Sequence, residues 1–270
     1  MYLHEGILNT DDSEPRATQL QRFADRESPK KPKSITIGSA EGRQAGAPNR
    51  QVPAYLREVY SWAYLTPSFA KVLDRQSVVE AILWGNARRL VARVLAEIEP
   101  GWRVLQPAAV YGTLSRELAA ALGPNGSLTV SDIAPLQVEL TRSKLADLPQ
   151  ACAHLCDAAE PARGPYDAVT CFFLLHEVPE DMKTRIVQAL LGVVRPGGKV
   201  VFVDYHRPHP AHPLRLVMQF IFAWLEPFAH TLWTRSIADY ARSLRTQFHW
   251  RKETLFGGLY QVVVATRRPV

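Results

Sequence analysis

Residues 103–132, RVLQPAAVYGTLSRELAAALGPNGSLTVSD, decide the fold. The stretch opens on a strand-like run, RVLQPAAV (103–110), passes through a helical period in LSRELAAALG that ends at Gly123, and returns to a strand-like run, SLTVSD. Two strands separated by a helix length cannot pair as a tight hairpin; they are joined by a crossover and lie parallel. The pattern repeats downstream. The helical PLQVELTRSKLADL leads to a short third strand, ACAHLCD; a fourth, YDAVTCFFLL, is apolar throughout, as a strand covered on both faces must be. The helical EDMKTRIVQALLGVV and the turn Arg195-Pro196-Gly197-Gly198 then introduce a fifth strand, KVVFVD. FHWRKETLF and LYQVVVATR, on either side of Gly257-Gly258, read as an antiparallel hairpin closing the sheet. The sequence therefore predicts an α/β fold: a doubly wound, mostly parallel, seven-stranded sheet.

Upstream, residues 1–50 are rich in Ser, Pro, Gly, Gln and charge, including Lys30-Lys31-Pro32-Lys33, and show no apolar period; they read as a disordered leader. From Pro53 the period turns helical, with Tyr55, Val59, Trp62 and Tyr64, and a second amphipathic stretch runs from Ser77 to Ile98. Residues 51–270 thus form one domain, with a helical cap over 51–100 and a helical lid over 205–245. The chain has 270 residues, 47% hydrophobic and 21% charged, which excludes a disordered or collagen-like chain. Three cysteines without a CxxC pair make no disulfide framework, and MYLHEGILNTDDSEPR has no basic start followed by an apolar core. The expected compartment is the cytoplasm.

The net charge is +6, and residues 204–270 hold 9 Lys/Arg against 4 Asp/Glu together with Trp224, Trp233 and Trp250. That combination fits an anionic membrane surface better than a nucleic-acid footprint, and no nucleic-acid recognition motif is present.

In an open α/β sheet a ligand binds beyond the carboxyl ends of the strands. The candidate contacts are accordingly Gln106 to Thr113, Asp132, Asp157, and Leu174 to Glu177. An acid ending the second strand, Asp132, can accept both ribose hydroxyls of an adenosine, and Asp157 is placed for an adenine amine. Each acid alternatively caps the turn or helix that follows it. Ile133 and Ala158 are their neighbours on the same rim.

This layout resembles the class I S-adenosylmethionine-dependent methyltransferases over residues 53–270. It departs at the first loop, Gln106-Pro107-Ala108-Ala109-Val110-Tyr111-Gly112-Thr113, which has one glycine and no acid where that family usually has an acid and a glycine-rich turn. Small Ala108 and Ala109 and permissive Gly112 still leave room for the cofactor. With that loop, FFLLHEVP and VFVDYHRPHPAHPLR resemble the rhodoquinone-biosynthesis family, relatives of the quinone C-methyltransferases. The resemblance implies replacement of a ubiquinone methoxy group by an amino group, with S-adenosylmethionine as amino donor and Mn²⁺ required.

Tyr111, where relatives commonly have glycine, reads as a positioning or acid/base residue, or else as a ring packed on the sheet edge. His176, after the fourth strand, can move a proton or ligate a metal, or be structural. Asp204, ending the fifth, is the third candidate catalytic residue. Asp204, His206 and His209 also offer a partial set for a hard divalent ion, or simply a polar loop held extended by Pro208 and Pro210. LRLVMQFIFAWLEPFAHTLW (214–233) is too interrupted to span a bilayer and reads as an interfacial lid helix meeting lipid or an isoprenoid tail, or as an ordinary core helix. Two other functions stay open: a conventional methyltransferase on a lipophilic acceptor, and a non-catalytic module binding membrane or a partner. The sequence leaves the oligomeric state open.

Overall fold

The computed structural model describes residues 70, 72–224 and 226–269. The expected leader and the helical pattern at Tyr55, Val59, Trp62 and Tyr64 lie outside the described residues. Seven strands, β1 (Arg103–Gln106), β2 (Ser127–Asp132), β3 (Ala151–Leu155), β4 (Tyr166–Phe172), β5 (Val194–Tyr205), β6 (Phe248–Leu255) and β7 (Tyr260–Arg267), form one sheet in the order β3-β2-β1-β4-β5-β7-β6. The first five are parallel, and β7 runs antiparallel between β5 and β6. This is the predicted sheet with its terminal hairpin.

Among the described residues seven α-helices flank it: α1 (Gln76–Ile82), α2 (Ala87–Leu95), α3 (Leu114–Leu122), α4 (Pro135–Lys144), α5 (Glu180–Gly192), α6 (Arg215–Trp224) and α7 (Ile237–Tyr240). Side-chain periodicity explains the two covered faces. Along β5, Val201 and Val203 face one core with α2 and α3, while Val200 and Phe202 face the other with α5. A strand that alternates between two apolar cores must be apolar where both cover it, as Val200–Val203 are. Leu114, Leu118 and Leu122 bury one stripe of α3, and Gly123 (φ 67) ends it. Truncating fully buried Leu118 to alanine would cost about 2–5 kcal/mol.

Two local features differ from the sequence reading. The stretch Ser77–Ile98 is not one helix: left-handed Trp84 (φ 52) and Gly85 (φ 74) separate α1 from α2. The break is built from polar groups that apolar periodicity does not register. Asn86 Nδ2 donates to Leu83 O (3.2 Å) and Trp84 O (2.9 Å), and Glu80 accepts the amides of Ala87 and Arg88, at 3.1 Å each, at the start of α2. The turn Arg195–Gly198 also lies inside β5 rather than before it. It is a bulge, since the register against β4 jumps from Tyr166↔Val194 to Ala168↔Lys199. A Cβ on Gly198 would stand 2.9 Å from both Asp167 O and Arg195 O, so only glycine fits there.

Candidate active site

A cavity opens beyond the carboxyl ends of β1, β2, β4 and β5, where the strand order reverses between β1 and β4. One wall carries the residues expected for a nucleotide. Ala108, Ile133, Ala158 and Leu174 line it, with Asp132 and Asp157 on the same rim. Both acids also make the caps offered as the alternative. Asp132 accepts Ala109 N (2.9 Å) and Ala134 N (2.7 Å), and Asp157 accepts Ala159 N (2.8 Å). A carboxylate has about four acceptor directions, so capping and ligand contact are compatible. Burial pushes the Asp132 carboxyl up to about 6, against the backbone amides that favour its ionised form.

Gln106 and Gly112 sit behind this wall, not on it. Gln106 is fully buried, donating to Ala108 O (2.8 Å) and accepting from Ser115 Oγ (2.9 Å), so it braces the first loop against α3. Gly112 (φ 84) turns towards α1: its amide donates to Asp74 Oδ1 (3.0 Å), and a Cβ would lie 2.6 Å from Gln76 Oε1. Lys144 completes the arrangement, pairing with Asp74 and donating to Val110 O (3.3 Å) and Gly112 O (3.1 Å). Tyr111 is thereby held in the cavity wall, its hydroxyl accepting from Gln137 Nε2 (2.9 Å). Burial pushes its phenol up to about 12, so it keeps its proton. The sequence reading missed Asp74, Gln137 and Lys144. The 137/144 spacing, two turns along one helix face, was the available signal.

The other wall is aromatic and charged. Left-handed Phe173 (φ 51) turns the chain sharply at the end of β4 into a 3₁₀ turn, Leu175–Glu177, that carries His176. Phe172, Phe173 and Tyr205 line this side, and Phe173 and Tyr205 meet the His176 ring edge-on at 5.7 and 4.9 Å between centroids. Asp204 lies behind it, 1% exposed, and does not line the cavity. It accepts the amides of Leu175 (2.9 Å), His176 (3.3 Å) and Tyr205 (2.8 Å), and the Nδ1–H of His176 (3.0 Å). Asp204 is therefore a positioning residue for His176. His176 Nε2 faces Glu226 Oε2 at 3.6 Å and Glu177 Oε1 at 3.8 Å. Burial alone would depress the imidazole, but Asp204, Glu226 and Glu177 outweigh it and lift it to about 9, leaving His176 a cation at neutral pH. Glu226, a member of this wall, entered the sequence reading only as an interruption of an apolar run.

The expected metal set does not assemble. Asp204 has its oxygens engaged as above, His206 uses Nδ1 on Gly258 O (2.9 Å) and Nε2 on Lys252 Nζ (2.8 Å), and His209 accepts Ala211 N (3.2 Å). Among the described residues no group of three or more His, Cys, Asp or Glu is arranged to hold a metal ion. His209 turns to the loop's own backbone and His206 to the β6–β7 hairpin, as the polar-loop alternative has it.

Residues 108–200 match the family described as a methyltransferase domain. The sheet order and a cavity beyond the strand ends have the arrangement of the class I methyltransferase fold. The ubiquinone/menaquinone biosynthesis C-methyltransferase UbiE of Ectopseudomonas mendocina (strain ymp) is 28% identical over 198 residues, which cover 69% of this chain and 75% of that protein. Among solved structures, human N-acetylserotonin methyltransferase in complex with S-adenosylmethionine aligns with a TM-score of 0.56 and 16% identity over 81% of this chain and 61% of that one. A SAM-dependent methyltransferase from Aquifex aeolicus aligns with a TM-score of 0.51 and 17% identity over 75% of this chain and 98% of that one. The two structures share the fold, and the domain is related to the quinone C-methyltransferases.

Proposed function

We propose that this protein uses S-adenosylmethionine to modify the ring of ubiquinone at the inner face of the cell membrane, exchanging a ring methoxy group for an amino group to give rhodoquinone. The observation that carries the exchange over simple methylation is Tyr111. Its phenol is fixed in the cavity wall by Gln137 and by the Lys144 bonds on either side of it, and a phenol held there would narrow the approach that in-line methyl transfer needs. In this reading the α-amino nitrogen of S-adenosylmethionine adds to the ring carbon bearing the methoxy group, and methoxide takes up a proton and leaves as methanol. Water then displaces the nitrogen from the donor's α-carbon, so that the Cα–N bond breaks, the ring keeps the amino group and the donor departs as its 2-hydroxy acid. Asp132 and Asp157 would accept its adenosine hydroxyls and amine, and Ile133, Ala158 and Leu174 would flank the base.

His176 and the aromatic wall serve the acceptor. A flat ring packs against Phe173 and Tyr205, and the imidazolium at Nε2 donates a proton or hydrogen bond to a ring oxygen as charge develops there. Asp204 keeps the imidazole in that orientation. α6 supports delivery from lipid: Leu216, Phe220 and Trp224, on successive turns, are 76%, 64% and 71% exposed, and only Met218 and Phe222 are buried. An ordinary core helix would hide such a stripe; a helix that meets a bilayer would not. Among the described residues no helix is long and apolar enough to cross a membrane.

A second reading, conventional methylation of a quinol, is favoured by the similarity to the C-methyltransferases. Product mass separates the two. Purified protein is given ubiquinone and S-adenosylmethionine labelled with ¹⁵N at its amino group, and the quinone is weighed. A lighter quinone carrying the label supports the exchange, whereas a heavier, unlabelled one overturns it in favour of methylation.

A further inference from the structure

Lys183 is a fully buried lysine in α5. Its ammonium donates to Phe228 O at 2.6 Å and Thr231 Oγ1 at 2.8 Å, and lies 3.5 Å from Glu180 Oε2. Glu180 in turn pairs with Arg235 (2.8 Å) and accepts from Tyr240 Oη (3.2 Å). One polar bolt therefore runs from α5 to the chain between Phe228 and Tyr240. A buried ammonium is costly even when bonded, and an apolar side chain on this buried face of α5, which also carries Ile186, Val187 and Leu190, would avoid that cost. What the charge adds beyond packing is a single location for the strap Glu226–Trp233. That strap brings Glu226 to His176 Nε2.

We infer that Lys183 is a positioning residue of the active site: by holding Phe228 O and Thr231, it fixes where the Glu226 carboxylate stands against His176. The bolt and the site share the same strap, so an untethered strap leaves Glu226 without a defined distance to the imidazole. The groups that face or surround His176 are Asp204 and the Tyr205 hydroxyl from β5, Glu177 from its own turn, and Glu226 from the strap. The Cys171 thiol of β4 and Lys183 itself are within electrostatic range of Asp204.

The sign of one titration decides the matter. Removing a nearby cation would, by Coulomb's law alone, favour the imidazolium and raise the His176 pKa; letting Glu226 drift away lowers it. The full chain labelled with ¹⁵N-histidine is titrated by NMR, the His176 signal being identified by its loss in His176→Asn. Glu226→Gln is expected to lower the His176 pKa by about one unit. Lys183→Met is expected to lower it by about half a unit or more, and to lower it no further in the Glu226→Gln background. A rise, no change, or a fall that adds fully to that of Glu226→Gln overturns the inference. Thr231→Val removes one acceptor without touching a charge and is expected to give a smaller fall. If Lys183→Met does not fold, an unchanged His176 in Thr231→Val overturns the inference instead.

The kinetic counterpart rests on the proposed quinone reaction: in Lys183→Met the KM for quinone rises about tenfold while S-adenosylmethionine affinity holds. Equal losses in both would mark Lys183 as merely structural. The titration needs no turnover, so a failed quinone assay does not obscure its outcome.

Discussion

The two walls of the cavity depend on different parts of the chain. On the nucleotide wall the acids lean on turns and on the adjacent strand end: Asp132 on Ala134 and on Ala109 of the first loop, Asp157 on Ala159, with Gln106 on Ala108 behind them. On the acceptor wall His176 depends on Asp204, 28 residues away, and the strap that carries Glu226 is held by Lys183 bonding Thr231, 48 residues away. The acids of the first wall are therefore set by strand ends and turns that form wherever the sheet forms, and only Tyr111 there depends on α4, through Gln137 and Lys144. The second exists only when β5, α5 and the strap are all packed, so perturbations should appear there first.

Asp204→Asn is the strongest way to break this comparison. A carboxamide can keep some amide bonds but takes from the buried imidazole its nearest counter-charge, leaving only Glu226 and Glu177, at a cost of about 3 kcal/mol. Turnover should fall by about 10²-fold or more as His176 loses orientation and charge. Urea unfolding and product formation measure the two. If Asp204→Asn proves no worse than a substitution on the nucleotide wall, the walls do not differ as argued.

The pH dependence of stability sharpens it. His176 is raised from 6.5 to about 9 in the folded state, so the stability its charge supplies is fully present below pH 6.5 and is lost as pH rises to 9, about 3 kcal/mol in all. Asp132 is a raised carboxyl, from 3.8 to about 6. Its contribution is fully present below pH 3.8 and lost as pH rises through 6. Both slopes run downhill with pH, in separate windows. Urea midpoints across pH should show both declines, and His176→Asn should abolish the upper one and leave the lower one in place.

The nucleotide wall has its own test. Asp132→Asn should weaken S-adenosylmethionine binding about 10- to 100-fold while stability holds or rises, because an ionised Asp132 is costly at neutral pH. In the unmodified protein, affinity should decline below pH 6 as the carboxyl takes up a proton. Calorimetric titration reads both, and unchanged binding would remove Asp132 from the site.

The same division governs what could be read in the sequence. The succession of strands along the chain, α3, α4, α5, the hairpin and the strand-end acids were legible because they follow from periods of 2 and 3.6 and from caps within a few residues. The break at Trp84–Asn86 was not, since it turns on Asn86 and Glu80 bonding to backbone rather than on apolar spacing. Nor was Lys183, which in EDMKTRIV looks like any solvated helix lysine until the strap covers it. The metal set failed for a related reason. Three candidate ligands of two types stand close in sequence, but nearness along an extended, proline-bound loop does not aim side chains at a common point.

The smallest expected effect asks how far α6 is independent of the nucleotide wall. Phe220 and Trp224 stack at 5.8 Å on its exposed face, while Met218 and Phe222 hold its inner face. Phe220→Glu with Trp224→Glu adds charge outside without touching that buried pair. Flotation with vesicles of phosphatidylglycerol and phosphatidylcholine should show binding reduced about three- to tenfold. The KM for a long-tailed ubiquinone should rise to a similar extent, that for a short-tailed analogue should not, and S-adenosylmethionine affinity should stay put. The tail-length contrast matters because a general weakening of the fold would raise both KM values together. Only loss of delivery from the bilayer is selective for the substrate that lives in it. If nucleotide affinity falls in step with vesicle binding, α6 is part of the scaffold of both walls, and the division between a locally built half and a tertiary one fails at the helix that exposes the most apolar surface.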